Sequence, residues 1–445
     1  MPLLILLLAI GLQIFFTAKK MSPFLSLLIV AIVAGLLLGM QPDALLKSIE
    51  AGVGSTLGGG GLALIICLGA VLGKILEVSG AAEKIVSQLI KNFGEKNIQW
   101  ALMLTGFLVG IPLYYNAGFV ILVPLVFTLA RKTGLPLLYI AIPMAASLST
   151  THCFLPPHPG PVVLVSAFKA NTGKVLLYGL FIAIPGVIIA GPLLGRRLQK
   201  INVDVSGFFL AEQRPAEKKL PPALPSFFIA LLPVILITLS VIASNFLPNG
   251  LLKTILLFIG NSTIALLLAV LLAIYYFGIR KNISMETCMK WMTDAIAGIA
   301  MIILIITAGG VFRQVLTDSG TGNYIAAFAS KWNMPPLIFA WIVTALLRVA
   351  IGSATVAGIT AAGIVSPLVT SGAVSAELMV LSVGAGSVFG SHINDSGFWM
   401  FKEFFRLSLK QTFLSWTVME TIISVIGLIG VLVLSYFVHP NTIAF

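Results

Sequence analysis

Charge is what this chain has least of. Only 9% of its 445 residues are Asp, Glu, Lys or Arg, and 58% are hydrophobic; soluble domains carry about 25% charged residues. That excludes a soluble globular domain and predicts an all-α, polytopic bundle in a lipid bilayer. Cysteine is nearly absent. Cys67, Cys153 and Cys288 have no spacing for a disulfide or metal framework and read as small core residues. HExxH, Walker and G-x-S-x-G signatures are also missing, which argues against an enzyme and against a nucleotide-driven pump. An ion gradient is left as the driving force, and no cofactor is implied. Acids are scarce, 15 against 27 basic residues. The surplus forms no aromatic-interleaved tract of the kind that binds nucleic acid. It sits in short clusters between apolar runs, the pattern of cytoplasmic loops.

Lys19 and Lys20 follow the first apolar run instead of preceding it, so this run reads as a retained membrane helix and not a signal peptide. Clear spanning candidates are Pro2–Ala18, Pro23–Met40, Trp100–Tyr115, Val175–Leu194, Ser226–Phe246, Ser262–Gly278, Asp294–Ala308, Leu337–Ile351 and Phe413–Phe437. With shorter stretches laced with Gly and Pro, roughly 11 to 14 membrane segments are expected, some of them re-entrant hairpins. A basic, proline-rich linker at 196–225 divides an N-terminal half, 1–195, from a C-terminal half, 226–445. Gly69-Ala70-Val71-Leu72, Pro124-Leu125-Val126 and Thr151-His152 recur as Gly309-Gly310-Val311-Phe312, Pro367-Leu368-Val369 and Ser391-His392, at an offset of about 240. The order is kept, which predicts an internal duplication with cores near 52–165 and 292–405. Repeats of this kind, often inverted, are the architecture of secondary transporters.

Polar, helix-breaking sequence at membrane depth survives only where protein or a water-filled cavity covers it. Two such stretches lie at matching places in the halves. In Thr150–Pro161, four prolines (Pro156, Pro157, Pro159, Pro161) forbid a regular helix. They leave Thr151, His152 and His158 for a substrate or proton site; the alternative is a rigid turn outside the membrane. Ser391–Trp399 packs His392, Asn394 and Asp395 among glycines. Asp395 is either an intramembrane proton carrier, helped by His152 or His392, or the cap of the helix after it. Two further breaks, Pro112–Gly118 with Tyr115 and Asn116, and Arg348–Thr355 with Ser353 and Thr355, also correspond. Broken helices expose N–H groups at a positive dipole end, which attracts anions. Arg348 is the one charge between Leu337 and Gly358; it binds a carboxylate or pairs with Asp395. Glu420, in the last apolar run, is either proton-linked or near the membrane surface. Gly58–Gly61 reads as close helix packing or a hairpin tip, and Gly106–Gly110 as a packing GxxxG pair.

Several of these motifs together resemble the gluconate:proton symporter (gluconate permease) family: Ala51–Gly58, Leu72–Leu76, Phe154–Pro161, Gly352–Ala357 and Asn394–Trp399. The resemblance runs nearly end to end. It implies a bacterial inner-membrane permease for gluconate or a related sugar acid, with idonate and D-serine carriers as relatives. It also implies proton symport and an elevator-like movement. One departure stands out. At Asn116, relatives carry a glutamate, and an amide cannot take up a proton at physiological pH; coupling here would rely on Asp395 or a histidine. The expected partners are a small carboxylate, protons and the bilayer, with no nucleic acid, and the oligomeric state is left open between monomer and homo-oligomer. The rival to a coupled carrier is an uncoupled facilitator.

Overall fold

The computed structural model describes residues 2–58, 62–94, 97–111, 115–201, 203, 220–321, 324, 334–372, 374–393 and 395–438. Within these, helices follow one another without a strand: α1 Pro2–Ala18, α2 Pro23–Leu37, α3 Pro42–Gly58, α4 Leu62–Val78, α5 Ala81–Phe93, α6 Ile98–Gly110, α7 Tyr115–Thr133, α8 Leu137–Phe154, α9 Pro159–Phe168, α10 Thr172–Leu198, α11 Ala223–Phe246, α12 Leu251–Ile259, α13 Ser262–Lys281, α14 Met285–Asp318, α15 Pro336–Ile351, α16 Ala354–Thr370, α17 Ala376–Gly386, α18 Ser396–Phe404 and α19 Leu409–Ser435. Six stretches are long and apolar enough to cross a membrane, or seven if the bent pair α3–α4 is one span. Shorter apolar helices include α2, α6, α15, α16 and α17. The polytopic helical expectation holds, and most of the expected linker, like Gly59–Gly61 of the glycine run, lies outside the described residues.

Helix ends follow local chemistry. Ser353, Ser375 and Asp395 cap α16, α17 and α18 by accepting hydrogen bonds from Val356, Leu378 and Gly397 N–H groups. The expected span that falls furthest short is the one at Asp294–Ala308, which belongs to the 34-residue helix α14. Its extra turns carry Glu286 and Lys290 on an exposed side and are capped by Ser284. At the other end Gly309 and Gly310 do not break it. A Cβ on Gly310 would overlap Thr56 Oγ1, and one on Gly52 would lie 2.7 Å from Val311 Cα, so these glycines let α3 and α14 touch backbone to backbone. The Gly106–Gly110 pair does the same for α6 and α8: a Cβ on Gly106 would sit 2.7 Å from the Met144 carbonyl.

The most buried span is Leu137–Phe168, in which α8 and α9 are separated at Leu155–His158. Breaks also separate α15 from α16 and α17 from α18, and α7 begins at Tyr115. Helices far apart in sequence pack on each other: α4 on α14, α8 on α17, and α10 on α19.

Candidate functional site

The breaks meet. A cavity of about 230 Å³ is walled by Tyr115, Ser149, His152 and Pro159 from the first half and by Arg348, Ser353, Thr355, Asp395, Trp416 and Glu420 from the second. Pockets for drug-sized ligands run to about 300–1,000 Å³, so this one suits a small molecule. Four helices put their first residue in its wall: Tyr115 of α7, Pro159 of α9, Ala354 of α16 and Ser396 of α18. Each contributes the positive end of a helix dipole. The α9 terminus offers few donors, because Pro159 and Pro161 have no N–H. The others present free backbone N–H groups, the usual means of holding an anion.

Arg348 sits in the last turn of α15 and is 2% exposed. The helix stops behind it because Gly352 takes a left-handed conformation, φ 85°. One guanidinium nitrogen, Nη2, donates to Asp395 Oδ2, which also accepts from the Ser391 hydroxyl. The other carboxylate oxygen accepts from Gly397 N–H at 2.8 Å. Asp395 is therefore both the cap of α18 and the partner of Arg348. Trp416 Nε1 donates to Ser391 Oγ at 2.7 Å and steadies this group from α19.

What is unpaired matters more than what is paired. Arg348 Nε and Nη1, His152 Nδ1, Tyr115 Oη and Glu420 Oε1 are buried and have no hydrogen-bond partner. All belong to residues of the cavity wall. Buried polar groups are normally satisfied; these atoms are concentrated on residues of one cavity, whereas the other unpartnered ones, such as those of Thr56 and Gln99, are scattered. Glu420 is 2% exposed, and Ser149 lies against its carboxyl group.

Of the residues singled out in the sequence, Tyr115, His152, Arg348, Ser353, Thr355 and Asp395 line the cavity. Thr151 does not: its hydroxyl donates to the Leu148 carbonyl at 3.0 Å, on the α8 face that packs against Gly110. His158 is turned to the Gly110 carbonyl, 2.5 Å from Nε2, with its ring 5.3 Å from that of His152. His392 is set against the Gly390 carbonyl, 2.9 Å from Nδ1, outside the wall. The Asn116 side chain and Asn394 lie outside what is described. Ser149 and Trp416 were not anticipated. Ser149 looks like any small residue of a packed helix. Trp416 sits in a π-helical turn, Phe413–Thr417, that interrupts α19; such turns recur at functional sites, but apolar sequence gives no sign of them. Among the described residues, no cluster of His, Cys, Asp and Glu could hold a metal ion.

Comparison with known proteins bears on this site. A family model described as GntP family permease matches residues 1–437. The chain is 47% identical to the high-affinity gluconate transporter of Escherichia coli (strain K12), covering 98% of this chain and 99% of that one. It is 45% identical to the Gnt-II system L-idonate transporter of the same organism, over 99% and 100% of the two chains. It is 44% identical to the gluconate permease of Bacillus subtilis (strain 168), over 98% and 100%. Among solved structures, the Alcanivorax borkumensis YdaH transporter resembles it with a TM-score of 0.66 at 16% identity, over 95% of this chain and 97% of that one. That likeness concerns the fold alone.

Proposed function

This chain belongs to the GntP permease family, and on that premise we propose that it imports gluconate or a closely related sugar acid across the bacterial inner membrane together with protons. It is a transporter and not an enzyme. The observation that carries the substrate class is the pair of unpartnered Arg348 nitrogens, on a residue of the cavity wall in which four helices begin. That arrangement is built for a carboxylate. Ser149, Ser353, Thr355 and Tyr115 stand around it as hydroxyl groups for a polyhydroxy chain. The names of the similar transporters, for gluconate and for L-idonate, support the same reading. His152, with Nδ1 unpartnered, is the one histidine of the three that belongs to the cavity wall. The parallel order of broken helices supports the duplication read from the sequence. With the cavity between the two repeats, movement of one against the other would expose it to either side in turn.

The test is uptake of labelled gluconate by proteoliposomes under an imposed inward proton gradient. Accumulation above the external concentration, abolished by a protonophore and competed by idonate, is expected. Equilibration without accumulation would make the protein a facilitator. Competition by D-serine in place of sugar acids would overturn the substrate class.

A further inference from the structure

We propose that Glu420 is the proton-binding group of the transport cycle, and that the cavity accepts a sugar acid only when this carboxyl carries a proton. The inference rests on the sugar-acid reading above and names the group that couples it to protons.

Besides His152, taken here as the neutral imidazole, and Tyr115, three side chains that can carry charge belong to the cavity wall: Arg348, Asp395 and Glu420. Arg348 and Asp395 are bonded to each other and cancel. Glu420 has no cation: no ion pair to it exists among the described residues, and its Oε1 has no hydrogen-bond partner. If ionised, it would leave the cavity with a net negative charge and repel an arriving carboxylate at close range, where screening by water is weak. With a proton, the cavity is neutral, and the Glu420 O–H becomes a donor to the guest. Binding of the anion and of the proton then favour each other, and by reciprocity each raises the affinity for the other by the same factor.

Position supports the role. Glu420 lies eleven residues after the first residue of α19, Leu409, so about 17 Å along the helix at about 1.5 Å per residue. Another fifteen residues, about 22 Å, follow it to Ser435, so Glu420 lies near the middle of a helix long enough to cross a hydrocarbon core of about 30 Å. The groups facing it are Ser149, His152 and Cys153 on α8, Tyr115 on α7, Arg348 on α15, and Asp395 ahead of α18. Of these, Asp395 accepts three hydrogen bonds, which leaves it occupied in holding Arg348 and α18. Glu420 is the carboxyl with an oxygen to spare.

The experiment measures gluconate binding to the full-length protein in detergent at several pH values, with proton uptake followed by an indicator in weak buffer. The wild type is expected to bind gluconate at least 10-fold more weakly at pH 8.5 than at pH 6 and to take up close to one proton per gluconate. Glu420→Gln keeps the hydrogen-bond donor and removes the titration. It should bind with an affinity that changes less than 2-fold with pH, take up no proton, and in proteoliposomes lose gradient-driven accumulation while exchanging gluconate at a reduced rate. Glu420→Asp, tested where Glu420→Gln fails to fold, should keep proton uptake with a shifted pH profile. Wild-type-like proton uptake or gradient-driven accumulation in Glu420→Gln would overturn the proposal and leave the sugar-acid reading standing. A wild type that binds no gluconate would end both.

Discussion

At the scale of single residues, Arg348 and Asp395 divide two tasks that a charged pair normally merges. Both oxygens of Asp395 are engaged by protein, whereas Arg348 engages only one of its three guanidinium nitrogens with Asp395 and leaves the other two unpartnered. Removing one partner of a buried pair strands the other, at about 3–5 kcal/mol. Asp395→Ala should therefore destabilise the protein by that order, seen as unfolding at lower SDS fraction in mixed micelles. Asp395→Asn keeps a capping oxygen and should lose clearly less. Arg348→Lys replaces a planar fork by a point charge. Gluconate affinity should fall about 100-fold, near 2.7 kcal/mol, in a direct binding assay; an unchanged affinity would remove Arg348 from substrate contact. Much of this was legible in the sequence. Arg348 announced itself as a lone charge in an apolar run, and of the two readings offered for it the pairing with Asp395 is the one realised in the fold. Glu420 was ambiguous because depth depends on where its helix begins. Composition placed that start at Phe413, while the capping box of Ser408 and Gln411 starts the helix at Leu409. The histidines were less legible still. Spacing cannot tell that His392 and His158 turn to backbone carbonyls while His152 turns to the cavity.

At the scale of elements, the breaks do the work, and glycine sets one of them. Gly352 ends α15 at φ 85° and so delivers Ser353 and the α16 N-terminus to the cavity. An L-residue with a Cβ pays about 1–2 kcal/mol there. Gly352→Ala should lower stability by this amount and weaken gluconate binding. Gly352→Asn, a residue that tolerates the left-handed region, should be milder in both assays. Equal effects would mean that the turn's conformation is not what matters. Helix contacts follow the same logic with opposite sign. Gly310→Ala meets Thr56 on α3, and overpacking typically costs about 1–3 kcal/mol, again readable by SDS unfolding. Patterns of apolar residues foretold where most helices run, because hydrophobic length is fixed by the bilayer. They missed the extent of α14, whose outer turns are held by a cap and an exposed polar side instead of by hydropathy.

At the scale of the whole molecule, the site belongs to neither half alone. Tyr115, Ser149 and His152 face Arg348, Thr355 and Glu420 across it. A cavity shared in this way should be occluded by its guest. In a background without Cys67, Cys153 and Cys288, Thr355→Cys should react with a membrane-impermeant methanethiosulfonate. Gluconate should slow that reaction at least 5-fold. A cysteine at Ser240, in the separate peripheral cavity with Asn171 and Asn261, should react at the same rate with or without gluconate. Protection at both positions would point to a global rearrangement in place of occupancy. The convergence of halves was visible in the sequence as matched polar interruptions. Which side chains meet was not, since that is decided by helix rotation about axes that no local pattern records.

The four helix ends around the cavity carry an evolutionary consequence. Any pull they exert on an anion comes from backbone N–H groups that every residue type except proline carries, at several helix ends at once, so a single amino-acid exchange would remove only part of it. Side chains such as Ser149, Ser353 and Thr355 are thereby released from the task of capture and free to drift. A scaffold of this kind can trade one hydroxylated acid for another in few mutational steps without passing through an intermediate that has lost its grip on the carboxylate.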